Sequence, residues 1–188
     1  MNLPNKLTIL RVCMIPLFMF FLCVPLSMED WLIRVIAAVI FILTALTDML
    51  DGKIARKYNL VTDFGKFADP IADKLLVMAA LIILVDTQRM PSWVCIVMLA
   101  REFIISGFRL VAAGSGKVIA AGTLGKFKTV FQMLATIALM LLVPVEGAAL
   151  LGKFGVVFAN VLMYIAAALT IVSGAEYIIR NFGCIKDM

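Results

Sequence analysis

From Asp48 to Lys74 the sequence reads DMLDGKIARKYNLVTDFGKFADPIADK, a polar window in an otherwise apolar chain. It holds five of the twelve acidic residues (Asp48, Asp51, Asp63, Asp69, Asp73) and five of the seventeen Lys and Arg residues. Over the whole 188 residues, 64% are hydrophobic and 15% charged, and the mean hydropathy is +1.09. Soluble domains run roughly 45–50% apolar and about 25% charged, so lipid must cover part of this surface. The window therefore marks where a membrane protein concentrates charge.

Outward from the window the chain divides into six apolar stretches: Thr8–Leu26, Trp31–Leu50, Ile71–Val85, Trp93–Val111, Val130–Val145 and Phe154–Ile179. At about 20 residues per span they predict six transmembrane helices. The fold class expected is an all-α, polytopic membrane protein forming a single domain over residues 1–188. The first stretch continues past Cys23 without a small-x-small cleavage site, so it reads as a retained helix rather than a signal peptide. If the spans alternate, 14 of the Lys and Arg residues fall on one side; only Arg34, Arg89 and Lys153 fall on the other. The positive-inside rule then predicts that both termini and the two long connections face the cytoplasm. The net charge of +5 is read as this topology bias, with no nucleic-acid partner.

The stretches differ in how they meet charge. Val12–Met28, Thr129–Val145 and Phe154–Ala175 are long charge-free runs, whereas Val35–Thr47, Leu75–Val85 and Met90–Ala100 are shorter. The shorter runs end on Asp48 and Asp51, on Asp69 and Asp73, and on Arg101, Glu102 and Arg109. Ionisable groups at membrane depth are costly and normally face a bundle interior or a wet cavity. A polar cavity opening to the cytoplasm, walled by the second to fourth helices, follows as an expectation.

Asp48 and Asp51 are three residues apart and Asp69 and Asp73 four apart, so each pair shares a helix face. Two helices that each present a carboxylate pair can build a dinuclear metal site. The chain has no histidine, and its cysteines (Cys13, Cys23, Cys95, Cys184) form no CxxC pair and read as small core residues. An all-oxygen donor set favours a hard cation, Mg²⁺ or Mn²⁺, and two ions would relieve the repulsion among four carboxylates. The same window suits a phosphate ligand. Gly52 permits close backbone approach, Arg56 can pair bidentately with phosphate, and Thr62 can donate a hydroxyl. Pro70 is compatible with the first turn of the third helix or with a kink.

The pattern D-x2-D-G-x2-A-R-x8-G-x3-D-x3-D, met here by Asp48, Asp51, Gly52, Ala55, Arg56, Gly65, Asp69 and Asp73, resembles the signature of the CDP-alcohol phosphotransferases. It fixes eight residue types over 26 positions, which makes a chance match improbable. Pro4-Asn5-Lys6-Leu7-Thr8 with Arg11, the Arg101-Glu102 pair, Arg109 and Gly125-Lys126-Phe127-Lys128-Thr129 are similar to the bacterial members that make phosphatidylglycerophosphate.

The resemblance implies transfer of a phosphatidyl group from CDP-diacylglycerol to sn-glycerol 3-phosphate with release of CMP. It implies that Asp48, Asp51, Asp69 and Asp73 hold the metals and that Asp73 is also the general base. Gly52, Arg56 and Thr62 would line the CDP-diacylglycerol site, with Asn5, Thr8 and Arg11 at its nucleotide end. An acceptor that carries its own phosphate needs further cations, for which Arg101, Arg109, Lys126 and Lys128 are the candidates. Snorkelling toward anionic headgroups is their alternative role. Glu102 is expected to pair with a neighbouring base. Many members of the family form homodimers, but no residue here marks an interface. Two other readings stay open: inositol phosphate or serine as acceptor, and a cation channel or transporter lined by the carboxylates.

Trp31, Trp93 and Tyr177 suit membrane interfaces, and Gly152 and Gly155 suit close helix packing.

Overall fold

The computed structural model describes residues 3–24, 29–57, 63–114, 122–144 and 151–181, with the side chains of 3–8, 48–57, 63–70 and 73 outside that description. The described residues form six α-helices and no strand: α1 (Leu3–Cys23), α2 (Asp30–Lys57), α3 (Asp63–Asp86), α4 (Ser92–Gly114), α5 (Thr123–Leu142) and α6 (Gly152–Asn181). The helices extend beyond the apolar stretches. Helix α2 continues through the first carboxylate pair to Lys57, and α3 already begins at Asp63. Pro70 accordingly lies beyond the first turn of α3, not within it. An apolar run marks only the lipid-depth part of a helix; backbone hydrogen bonding carries the helix on into the polar window.

Among the described residues, three segments are long and apolar enough to cross a membrane: Asp30–Thr47 in α2, Thr123–Leu142 (α5) and Gly152–Asn181 (α6). Ile9–Cys23 is a shorter apolar helix. Large apolar side chains point outward on every helix, among them Phe20, Leu43, Ile82, Ile96, Val130 and Phe154. An exterior of this kind is that of a membrane protein, because water would penalise so large a contiguous apolar surface. Hydroxyls within the helices are satisfied locally: Thr44, Thr136 and Thr170 each donate to the carbonyl four residues earlier, at 2.7, 2.8 and 2.7 Å.

Helix α1 packs on α2 and α3, α5 on α6 and α2, and α4 on α6. Between them lies one large apolar cluster including Phe18, Phe41, Leu81, Met98, Leu139 and Met163. Phe18 and Phe41 tie α1 to α2 with ring centroids 5.9 Å apart. Gly155 allows a tight start to α6: a Cβ there would stand 2.9 Å from that of Leu151. Gly152 meets no such obstacle and instead adopts a φ of +56°, the left-handed conformation that glycine tolerates.

One end of the bundle is closed by charge. At the end of α3, Gln88 has a φ of 57°, the Gln88 N–H bonds the Val85 carbonyl at 3.0 Å, and the Arg89 N–H bonds that of Leu84 at 2.8 Å. This Schellman-type stop satisfies two terminal carbonyls and turns Arg89 inward. Arg89 Nη2 lies 3.8 Å from Asp30 Oδ1, and Arg34 Nε lies 2.8 Å from Asp30 Oδ2. Both arginines also reach the last turn of α5: Arg34 Nη1 donates to the Leu141 carbonyl at 2.9 Å and Arg89 Nη1 to that of Met140 at 3.5 Å. They supply donors to carbonyls that a helix end leaves without intrahelical partners. Burial pulls the Arg89 pKa down to about 10 and the Asp30 carboxylate opposes the fall, so Arg89 stays charged at neutral pH.

Two expectations for individual residues are revised. Cys95 is buried, but Cys13 and Cys23 are exposed on α1, where a thiol is apolar enough to face lipid; Cys184 lies outside the described residues. Tyr177 is not displayed at an interface but buried, edge-on to Phe108 at 5.8 Å. Trp31 and Trp93 are exposed, and Trp93 stacks on Tyr164 at 6.1 Å.

Candidate active site

The signature residues fall on two helices that touch. Asp48, Asp51, Gly52 and Arg56 lie in α2, Asp69 and Asp73 in α3, and the two helices pack on one another. Helical backbone at both pairs bears out the shared-face spacing read from the sequence. The side chains of all six residues lie outside the described set, as do those of Asn5 and Thr8 in α1; Thr62 lies outside it altogether. Four carboxylates on adjacent helices, in a chain without histidine, are a donor set suited to a hard divalent cation. Arg11, in α1, is 1% exposed: its charge sits inside the bundle rather than snorkelling to a surface.

The helix that carries the second carboxylate pair is joined to a basic cluster by side chains that are described. Lys74, directly after Asp73, donates to the Ser106 hydroxyl on α4. Ser106 in turn donates to the Glu102 carbonyl at 2.6 Å. The Glu102 carboxylate receives the Lys128 ammonium from α5 and, at 3.5 Å, Arg101 Nη1. Arg101 Nη2 continues to the Ser173 hydroxyl of α6 at 3.4 Å. One polar network thus runs from α3 through α4 to α5 and α6, beginning one residue from Asp73. Glu102 does pair with neighbouring bases, as its position beside Arg101 suggests.

The four candidate phosphate-binding cations take different positions. Lys126 is exposed. Lys128 is 1% exposed and its ammonium is engaged by Glu102, so the structure gives it a partner inside the protein. Arg101 is mostly enclosed, whereas Arg109 is exposed and lies with its guanidinium carbon 5.4 Å from the Tyr177 ring centroid, its Nε donating to the Tyr177 hydroxyl at 3.2 Å. A guanidinium has five N–H donors. Arg101 and Arg109 therefore retain donors beyond these contacts, and Arg101, Arg109 and Lys128 hang on a frame contributed by α4, α5 and α6.

A family model described as CDP-alcohol phosphatidyltransferase matches residues 1–172. The chain belongs to the CDP-alcohol phosphatidyltransferase family. Among its relatives, the CDP-diacylglycerol–glycerol-3-phosphate 3-phosphatidyltransferase of Bacillus subtilis (strain 168) is 45% identical, across 98% of this chain and 97% of its own length. The enzyme of the same name from Haemophilus influenzae is 38% identical, over 99% and 96%. A probable phosphatidylglycerophosphate synthase of Mycobacterium tuberculosis is 40% identical, over 99% and 86%. The central window, the basic cluster and the six helices thus all lie within the length aligned with these relatives.

Sequence reasoning missed Ser106 and Ser173. They belong to no charged motif, and nothing in their local spacing links α6 to Arg101, which is 72 residues from Ser173. A sequence signal did exist for Ser106: it lies four residues after Glu102 and five after Arg101, one turn further along the same helix.

Proposed function

We propose that this protein transfers the phosphatidyl group of CDP-diacylglycerol to sn-glycerol 3-phosphate, yielding phosphatidylglycerophosphate and CMP. The observation that carries the reading is that a basic cluster fit for an acceptor phosphate connects, through Lys74 and Ser106, to the helix of the second signature carboxylate pair. Near-complete alignment with relatives named for this reaction supports the same acceptor over serine or inositol phosphate.

In this reading Asp48, Asp51, Asp69 and Asp73 would hold Mg²⁺ or Mn²⁺, because an all-oxygen donor set suits a hard divalent cation. A divalent pair bound there supplies charge neutralisation for the pyrophosphate and polarises the phosphorus under attack. The protein's own groups do the rest. Gly52, Arg56 and Thr62 line the site of the CDP-lipid, with Asn5, Thr8 and Arg11 toward the nucleotide. Arg101, Arg109 and Lys126 hold the acceptor phosphate, and Lys128 acts through Glu102. The Asp73 carboxylate takes the acceptor hydroxyl proton as the new O–P bond forms and the bond to CMP breaks; a carboxylate within about 3 Å of the hydroxyl suffices.

The membrane setting belongs to the same proposal. All six helices span the bilayer, and the carboxylates and basic cluster open to the cytoplasm with both termini. The segregation of 14 Lys and Arg residues from the remaining 3 supports that orientation. The enzyme works as a homodimer, which cross-linking in native membranes would test. Purified protein given CDP-diacylglycerol and each of the three acceptors in turn tests the activity: CMP should appear with glycerol 3-phosphate, and its failure to do so would refute the assignment.

A further inference from the structure

Arg101 lies in a slot formed by two glycines from different helices. A Cβ built on Gly174 of α6 would stand 3.2 Å from Arg101 Cγ, and one built on Gly125 of α5 would stand 3.4 Å from Arg101 Nη2. Within 4 Å of either added atom, among the described residues, Arg101 is the only neighbour met. Gly174 thus keeps space for the aliphatic stem of Arg101, and a Cβ on Gly125 would come to the edge of ordinary contact with its guanidinium.

The remaining contacts act on the same group. Ser173, the residue before Gly174, accepts from Nη2 at 3.4 Å, and Glu102 accepts from Nη1 at 3.5 Å. Both bonds are long, near the outer limit for useful strength. They steer the guanidinium without saturating it, and the room that the two glycines leave lets the side chain take this position. A glycine in the middle of a helix costs roughly 0.5–1 kcal/mol relative to alanine. Gly174 lies well inside α6, so its presence there needs a local reason. The side chain of Arg101 supplies one.

We propose that Gly174, Gly125 and Ser173 are positioning residues that hold the Arg101 guanidinium in register for the phosphate of the acceptor. The inference rests on the reading of Arg101 as an acceptor-binding group. It identifies α6, which carries none of the signature, as a determinant of acceptor recognition. A confined guanidinium loses little side-chain freedom when it binds phosphate, and that preorganisation favours a phosphorylated acceptor.

Steady-state kinetics of the full-length protein with Gly174→Ala test this. The variant should raise the KM for glycerol 3-phosphate about tenfold, as for one weakened charge-assisted bond, while the KM for CDP-diacylglycerol stays within twofold (about the scatter of such a comparison). Its Tm in detergent should be equal to or above wild type, because alanine is the better helix former. Gly125→Ala should show a smaller change of the same kind. In an Arg101→Ala background, Gly174→Ala should have no further effect on acceptor KM. An unchanged acceptor KM, or an equal rise in both KM values, would overturn the inference while wild-type turnover of glycerol 3-phosphate still upheld the broader reading. If Gly174→Ala failed to fold, the same comparison on Ser173→Ala, which inserts no atom, would decide: a selective rise in acceptor KM supports the proposal and none overturns it. A wild-type protein inactive with glycerol 3-phosphate would overturn both.

Discussion

Glu102 of α4 and Lys128 of α5 form an ion pair across 26 residues of sequence, and Lys128 is 1% exposed within it. Removing one member of a buried pair leaves the other charged and desolvated, at a cost of about 3–5 kcal/mol. Glu102 retains some solvent contact, so Glu102→Gln should fall toward the lower end of that range. Replacing both residues, Glu102→Gln with Lys128→Met, should cost less than the sum of the single changes. Thermal or denaturant unfolding in detergent measures all three variants.

Lys126 and Lys128 are two residues apart but should behave differently. Lys126 is exposed, and Lys126→Ala should leave unfolding within about 0.5 kcal/mol of wild type. Its effect should appear instead as a larger rise in the KM for glycerol 3-phosphate than in the KM for the lipid substrate. Lys128→Ala should lower stability first. Comparing Tm with the two KM values for each variant separates a ligand-binding cation from a structural one.

Arg109 rests on Tyr177 through a ring contact and a hydroxyl. Tyr177→Phe keeps the ring and removes only the acceptor oxygen, so acceptor KM should rise no more than about fivefold, the equivalent of about 1 kcal/mol. Arg109→Lys loses the planar stacking as well and should cost more. The order of the two acceptor KM values is the test.

At the opposite charged cluster, Asp30→Asn should destabilise the protein by roughly 3 kcal/mol or more, because Arg34 and Arg89 would remain buried without their carboxylate. Neither substrate KM should change in the folded fraction. Gln88→Gly, by contrast, should stabilise the fold by about 1 kcal/mol through relief of its left-handed backbone. Unfolding midpoints with a parallel activity assay check both.

The sequence carried the carboxylate window, the helical spacing of its pairs and the six apolar stretches, because each is a local pattern. Its charge asymmetry grouped Arg34 with Arg89; that they converge on Asp30 and cap α5 is a tertiary fact with no local signal. The slot around Arg101 was illegible for the same reason. Gly125 stood out beside Lys126, but Gly174 sits in a long apolar helix where a small residue carries no obvious chemistry. Lys128 looks equivalent to Lys126 in sequence, and its burial against Glu102 distinguishes them. The apolar stretches stop short of the helix ends at α2 and α3, where hydropathy falls but backbone hydrogen bonding continues.

The central claim is an acceptor-specific, metal-assisted phosphatidyl transfer that depends on Asp73. CMP release by purified protein with CDP-diacylglycerol, glycerol 3-phosphate and Mg²⁺, compared with Asp73→Asn and with chelator, addresses it most directly. Wild type should release CMP and form phosphatidylglycerophosphate; the variant should fold, bind the CDP-lipid and turn over at least about a hundredfold more slowly, as expected for loss of a general base. Chelator should abolish the reaction and added Mg²⁺ or Mn²⁺ restore it. Near-normal CMP release from Asp73→Asn, or CMP release with serine or inositol phosphate but not glycerol 3-phosphate, would contradict the account.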